Sequence, residues 1–84
     1  RILGARPNPC NSSTSIDFVV PAAGEVKLEI VDVLGHTVAT LVDGKLSAGH
    51  YVAVWSADGL GSGVYFAKLK VAGRTETAKL LLIK

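Results

Sequence analysis

Residues 25–33 read "EVKLEIVDV". Val26, Leu28 and Ile30 alternate with Glu25, Lys27 and Glu29. In an extended chain successive side chains point to opposite faces, so this stretch is expected to be a strand with one face buried and one wet. The same period of two recurs along most of the chain, and it constrains the fold more than any other feature. In "STSIDFVV", Ile16, Phe18 and Val20 share one face, and Ser15 and Asp17 the other. A third, less regular strand is expected over residues 37–43. A fourth covers 50–57, with Val52 and Val54 opposed to Tyr51 and Trp55. In "SGVYFAKLKV" (residues 62–71), Tyr65, Ala67, Leu69 and Val71 are expected inward, and Phe66, Lys68 and Lys70 outward. Residues 74–84 are the sixth strand. No stretch longer than about two turns has a helical period.

Turn chemistry separates each pair of strands. "PAAGE" follows the first, and "VLGH" the second, with Gly35 free to take positive φ. "DGKLSAGH" is expected to be the next turn, from Asp43. Then come "SADGLGSG", whose glycines are expected to shape a tight hairpin, and "VAGRT". "ARPNPCNSS" near the start holds two prolines and cannot be a regular central strand; it reads as an edge or lead-in segment. Six strands with a possible seventh near the N-terminus, punctuated about every 8–12 residues, imply an all-β antiparallel sandwich. Pairing order does not follow from this pattern.

The chain has 84 residues, a length that fits one domain. With 49% apolar and 19% charged residues it is expected to fold rather than remain disordered. Nine basic against seven acidic residues leave a formal charge of +2, too balanced to point to nucleic acid or a membrane surface. The longest apolar run, residues 80–83, is too short to cross a bilayer. One cysteine, Cys10, allows no internal disulfide. There is no methionine, the first residue is Arg1, and no leader pattern is present. The chain is therefore expected to be a piece of something longer, its ends lying in a sheet or held by a neighbour.

Candidate chemistry is sparse. His36 and His50 follow Gly35 and Gly49 and lack a spacing that would place two ligands on one face, so both are expected to be solvated turn residues. Asp32, Asp43 and Asp58 each precede a glycine by one to three residues, which suits closing a turn. Convergence on calcium would need six to eight oxygens, and no calcium-loop spacing is present. No G-x-S-x-G elbow is found. Cys10, between Pro9 and Asn11, has no cationic neighbour in sequence and is expected to be a small apolar plug. "GLGSG" precedes a strand rather than a helix, so a phosphate cradle is disfavoured. Trp55, Tyr51, Tyr65 and Phe66 are the aromatics for a sugar or nucleic-acid platform; most are expected in the core, with Phe66 on the wet face. Neither enzymatic activity nor a cofactor is expected.

Five motifs in order resemble a known family. These are "PNPCNSSTSIDFVVP", "VKLEIVDVLGHTVATLV", "LSAGHYVAVW", "SGVYFAKLK" and the closing "KLLLIK". Together they resemble the C-terminal sorting domain (type A) of the bacterial type IX secretion system, with a relative in the Ig-like domain of flagellar hook-capping proteins. The resemblance runs from about Arg6 to Lys84, and Cys10 stands where family members usually have phenylalanine. It implies a seven-stranded Ig-like β-sandwich over residues 1–84, ending a larger secreted protein. It implies a non-catalytic export signal for an N-terminal cargo, read by the type IX translocon and removed by a sortase-like surface protease. The implied destination, after periplasmic transit, is release or the cell surface. On the same ground, the recognition residues are Gly63, Tyr65, Lys79, Leu80, Leu81, Leu82, Ile83 and Lys84. In "KLLLIK", Leu80 and Leu82 oppose Leu81 and Ile83, as in a strand that is central or awaits a partner. Other roles fitting the pattern are a fibre subunit associating through edge strands, and an Ig-like spacer or carbohydrate-binding module of a surface enzyme.

Overall fold

The computed structural model describes all 84 residues, Arg1–Lys84. Seven strands follow one another without a helix: β1 (Ile2–Arg6), β2 (Ser13–Val20), β3 (Gly24–Val31), β4 (Thr37–Leu46), β5 (Gly49–Ser56), β6 (Gly63–Val71) and β7 (Arg74–Leu82). They form two antiparallel sheets, one ordered β1-β2-β5 and the other β4-β3-β6-β7. The inward sets predicted by the period of two are the ones buried. Ile16, Phe18 and Val20 from one sheet meet Val26, Leu28, Ile30, Ala67 and Leu69 from the other in one apolar core. The lead-in contributes the seventh strand, β1, at an edge of the smaller sheet.

Three expectations about turns and strand ends need correction. β4 does not stop at Asp43 but continues to Leu46, and Asp43 pairs with Lys27 within the sheet. Two register irregularities opposite β3 break the strand's alternation, which hid its length. The glycine-rich stretch before Gly63 is not a hairpin: it carries the chain from β5 in one sheet to β6 in the other. Crossovers and hairpins draw on the same turn residues, so composition does not separate them. The last strand ends at Leu82 rather than Lys84.

Both crossovers that end in a tyrosine-bearing strand are pinned the same way. Tyr65 Oη donates to the Gly61 carbonyl at 2.8 Å, and Tyr51 Oη donates to the Ser47 carbonyl at 2.7 Å. A tyrosine tying a strand back to the loop before it is the tyrosine corner of Ig-like sandwiches. The rings pack as well: Phe18 stacks on Tyr51 at 5.6 Å, and Trp55 meets Tyr65 at 5.3 Å with a tilt of 57°. One difference from the constant-type Ig arrangement is the place of the fourth strand. There the fourth strand joins the sheet of the first two; here β4 pairs with β3, so β5 has β2 on one side and no strand on the other.

The β3–β4 and β6–β7 hairpins use different devices. Between β3 and β4, Asp32 Oδ1 accepts from the N–H groups of Leu34 and His36, each at 2.9 Å, and Gly35 takes φ 86°. The His36 N–H bond is the main reason the Asp32 carboxyl titrates below its usual 3.8; partial burial opposes it. Between β6 and β7, Ala72 (φ 52°) and Gly73 (φ 76°) form a two-residue loop with both central residues left-handed. That is the type I′ geometry, in which Asn-Gly is favoured and alanine is strained by about 1–2 kcal/mol. Ala72→Asn should therefore stabilise the protein by about 0.5–1 kcal/mol. Ala72→Val should destabilise it, both read as shifts of the urea midpoint.

Candidate functional site

The residues assigned to recognition by resemblance come together at one end of β6 and β7. Gly63 pairs with Leu82, Val64 with Leu81, Tyr65 with Leu80 and Phe66 with Lys79. Directly opposed residues share a face, so the set splits in two. Tyr65, Leu80 and Leu82 face inward and are buried in the core. Lys79, Leu81 and Ile83 belong to the outer face, where Lys79 is exposed, Leu81 is half-buried and Ile83 is 52% exposed. Gly63 takes φ 154°, and a side chain there would meet nothing within 4 Å, so the position favours glycine for its backbone rather than for space. Phe66 is half-buried rather than displayed, flanked in register by Val31 and Lys79. The outer face at this end is thus apolar, with Val33 and Leu34 exposed on the β3–β4 turn nearby.

β7 is neither central nor waiting for a partner at this end. It is an edge strand whose outer edge is covered by residues 8–10. Cys10 forms a parallel bridge with Leu82: its N–H donates to the Leu81 carbonyl at 2.9 Å, and its carbonyl accepts from the Ile83 N–H at 2.8 Å. Asn8 extends the same edge with a side chain acting as a peptide group. Its Nδ2 donates to the Lys79 carbonyl and its Oδ1 accepts from the Leu81 N–H, both at 3.0 Å. The peptide bonds at Arg6–Pro7 and Asn8–Pro9 are cis. Lys84 folds back onto the crossover: its Nζ donates to the Ala57 carbonyl and its N–H to Ser62 Oγ, each at 2.8 Å. Cys10 itself is 3% exposed and packs in the core, as the plug reading expects.

The other sequence candidates do not join this site. His36 is exposed and lies 3.6 Å from Asp32; His50 is exposed on β5. Asp58 accepts from Ser56 Oγ at 3.2 Å, and Asp43 sits on β4, so the three aspartates serve separate places. No group of three or more His, Cys, Asp or Glu side chains gathers where it could hold a metal. Trp55 is buried and Tyr51 half-buried, which leaves no aromatic row for a sugar. A concavity of about 510 Å³ lies beside the β6–β7 turn, with Glu25, Lys27, Asp43 and Lys70 in its wall. No helix is long and apolar enough to cross a membrane.

What the site offers is a shaped apolar surface with lysines at its rim, held on a closed sheet edge. Asn8 is the residue that sequence reasoning missed. The signal was an asparagine between two prolines, where a side-chain amide is the one polar group able to continue a ladder that proline cannot. Asn8→Ala removes two hydrogen bonds from a partly solvated edge and should lower stability by about 1–2 kcal/mol. Asn8→Asp keeps an acceptor for Leu81 but no donor for Lys79, and should fall between. Equilibrium urea unfolding of the three proteins checks the order.

A family model for the secretion system C-terminal sorting domain matches residues 6–84. Comparison with curated proteins finds no match, and neither does comparison with solved structures. The match spans the five motifs and takes in the whole edge just described, from the covering segment to Lys84. The family is one of sorting signals, not of catalysts. The chain belongs to the type IX secretion system C-terminal sorting domains.

Proposed function

We propose that this chain carries an N-terminally joined cargo across the outer membrane, and that the type IX machinery reads the folded end built from Gly63, Tyr65 and residues 79–84. The observation that supports this most is the division within "KLLLIK". Tyr65, Leu80 and Leu82 are committed to the core, whereas Lys79, Leu81 and Ile83 lie on the outer face. The buried members hold the shape and the outward ones meet the reader. Release by a sortase-like protease, or attachment at the surface, would follow export. A strand-exchange fibre is less favoured, because exchange needs a terminal strand free to leave. Here the Arg1 carbonyl accepts from the Val19 N–H at 2.7 Å, and the last residues are bonded to residues 8–10 and to the crossover.

Deleting residues 79–84 would test this poorly, since it removes Leu80 and Leu82 from the core and opens the fold. A sharper test fuses the chain behind a signal peptide and a fluorescent reporter in a host with a type IX system. A sorting domain native to that host serves as the positive control. The expected result is reporter outside the cell for the unaltered chain. Lys79→Glu with Ile83→Asp should leave the reporter in the periplasm, while the melting temperature stays within a few degrees because both side chains are largely exposed. Leu80→Ala should cost about 2–5 kcal/mol and block export through unfolding instead. Export of the Lys79→Glu/Ile83→Asp variant at the unaltered level would remove these residues from recognition. Retention of the unaltered chain alongside an exported control would remove the sorting role.

A further inference from the structure

The two sheets have four outer edges, and three of them are guarded. β1 is only five residues long, its register shifts between Ile2 and Gly4, and Pro7 follows it. β4 has two register irregularities and carries Asp43 and Lys45. β7 is covered at one end by residues 8–10 and carries Arg74, Glu76 and Lys79. Short strands, bulges, prolines and charges are the usual defences of a sheet edge against another chain.

β5 has none of these. It runs eight residues in unbroken register with β2, "GHYVAVWS", without a lysine, arginine, carboxylate or proline. On its outward face Val52 is 59% exposed and Val54 62% exposed, among the most open large apolar side chains in the protein. The strand that would shield it in a constant-type Ig sandwich is β4, which here lies in the other sheet.

We propose that β5 is a self-association edge, pairing antiparallel with β5 of a second copy about a two-fold axis at Ala53. In that register Val52 of each copy lies opposite Val54 of the other, and His50 lies opposite Ser56. On the inner face Tyr51 lies opposite Trp55, and Ala53 meets itself. Every side chain keeps its face, and the inward pair is aromatic against aromatic, a favourable cross-strand combination. Charge selects a second copy over a charged partner strand. β5 has no formal charge to attract one, and when paired with itself it places no like charges in opposition. The pairing is isologous and closes at two. It joins the three-stranded sheets into one ordered β1-β2-β5-β5-β2-β1, which ends on both sides at the guarded β1 edge. An interface of one strand pair is small, so the dimer is expected to be weak, with a dissociation constant on the order of 100 μM. This inference does not rest on the export reading, and the two tests fail independently.

Sedimentation equilibrium of the 84-residue chain from about 10 μM to 1 mM tests it. The chain has its own contiguous core built from both sheets, so it is studied as it stands. The expected result is a monomer–dimer equilibrium that goes no further. V52K/V54K sets lysine against lysine twice across the axis and should weaken the dimer at least ~10-fold, with an unchanged thermal midpoint because both valines are exposed. V52K/V54E sets the lysine of each copy against the glutamate of the other and should restore association relative to V52K/V54K. Association unaffected by V52K/V54K overturns the proposal. So does V52K/V54E no tighter than V52K/V54K. A wild-type chain that stays monomeric to ~1 mM also overturns it.

Discussion

The contact on which the rest of this fold depends is the closure of the β7 edge by residues 8–10. It joins the two ends of the chain: Cys10 contributes both backbone groups to Leu81 and Ile83, and Asn8 contributes both ends of its amide. Two things follow from it. The Cys10 side chain is carried into the core, where a position between two sheets would otherwise be open. The chain beyond Leu82 is also held at Ile83, which places Lys84 against Ala57 and Ser62 of the crossover. The final residues are therefore part of the sandwich and not a tail attached to it.

That bears on how a sorting signal of this kind is read. A linear tag is recognised from its sequence and survives unfolding. Here the outward side chains Lys79, Leu81 and Ile83 owe their common orientation to the strand, and the strand owes its place to Leu80, Leu82 and Tyr65 beneath it. On the proposed reading, recognition depends on the domain being folded. Substitutions at the inward and outward positions of one six-residue motif then fail for different reasons, the former through stability and the latter through contact.

Much of this was legible in the sequence, for a physical reason. Alternation reports which face a side chain takes, and the faces of Ile16, Phe18, Val26, Leu28, Leu69, Leu80 and Leu82 are as the period requires. Alternation carries no information about which strand lies beside which. The pairing of β4 with β3, which leaves β5 uncovered, was invisible for that reason, as was the glycine-rich stretch serving as a crossover. The length of β4 was hidden by its irregular register opposite β3. Asn8 lay deepest: its partners are more than 70 positions away in sequence, so the local signal, an asparagine between two prolines, does not say which strand its amide completes. The end of the chain was legible as a motif, but its closure was not.

The most direct measurement is native-state hydrogen exchange at the amides of Cys10, Leu81 and Ile83. If residues 8–10 close the sheet as part of the cooperative fold, these three amides should exchange only with global unfolding, at the same free energy as Leu28 in the centre of β3. Exchange of Leu81 and Ile83 through a low-energy local opening, while Leu28 stays protected, would contradict the account. It would make the C-terminal end a frayed strand rather than a locked one.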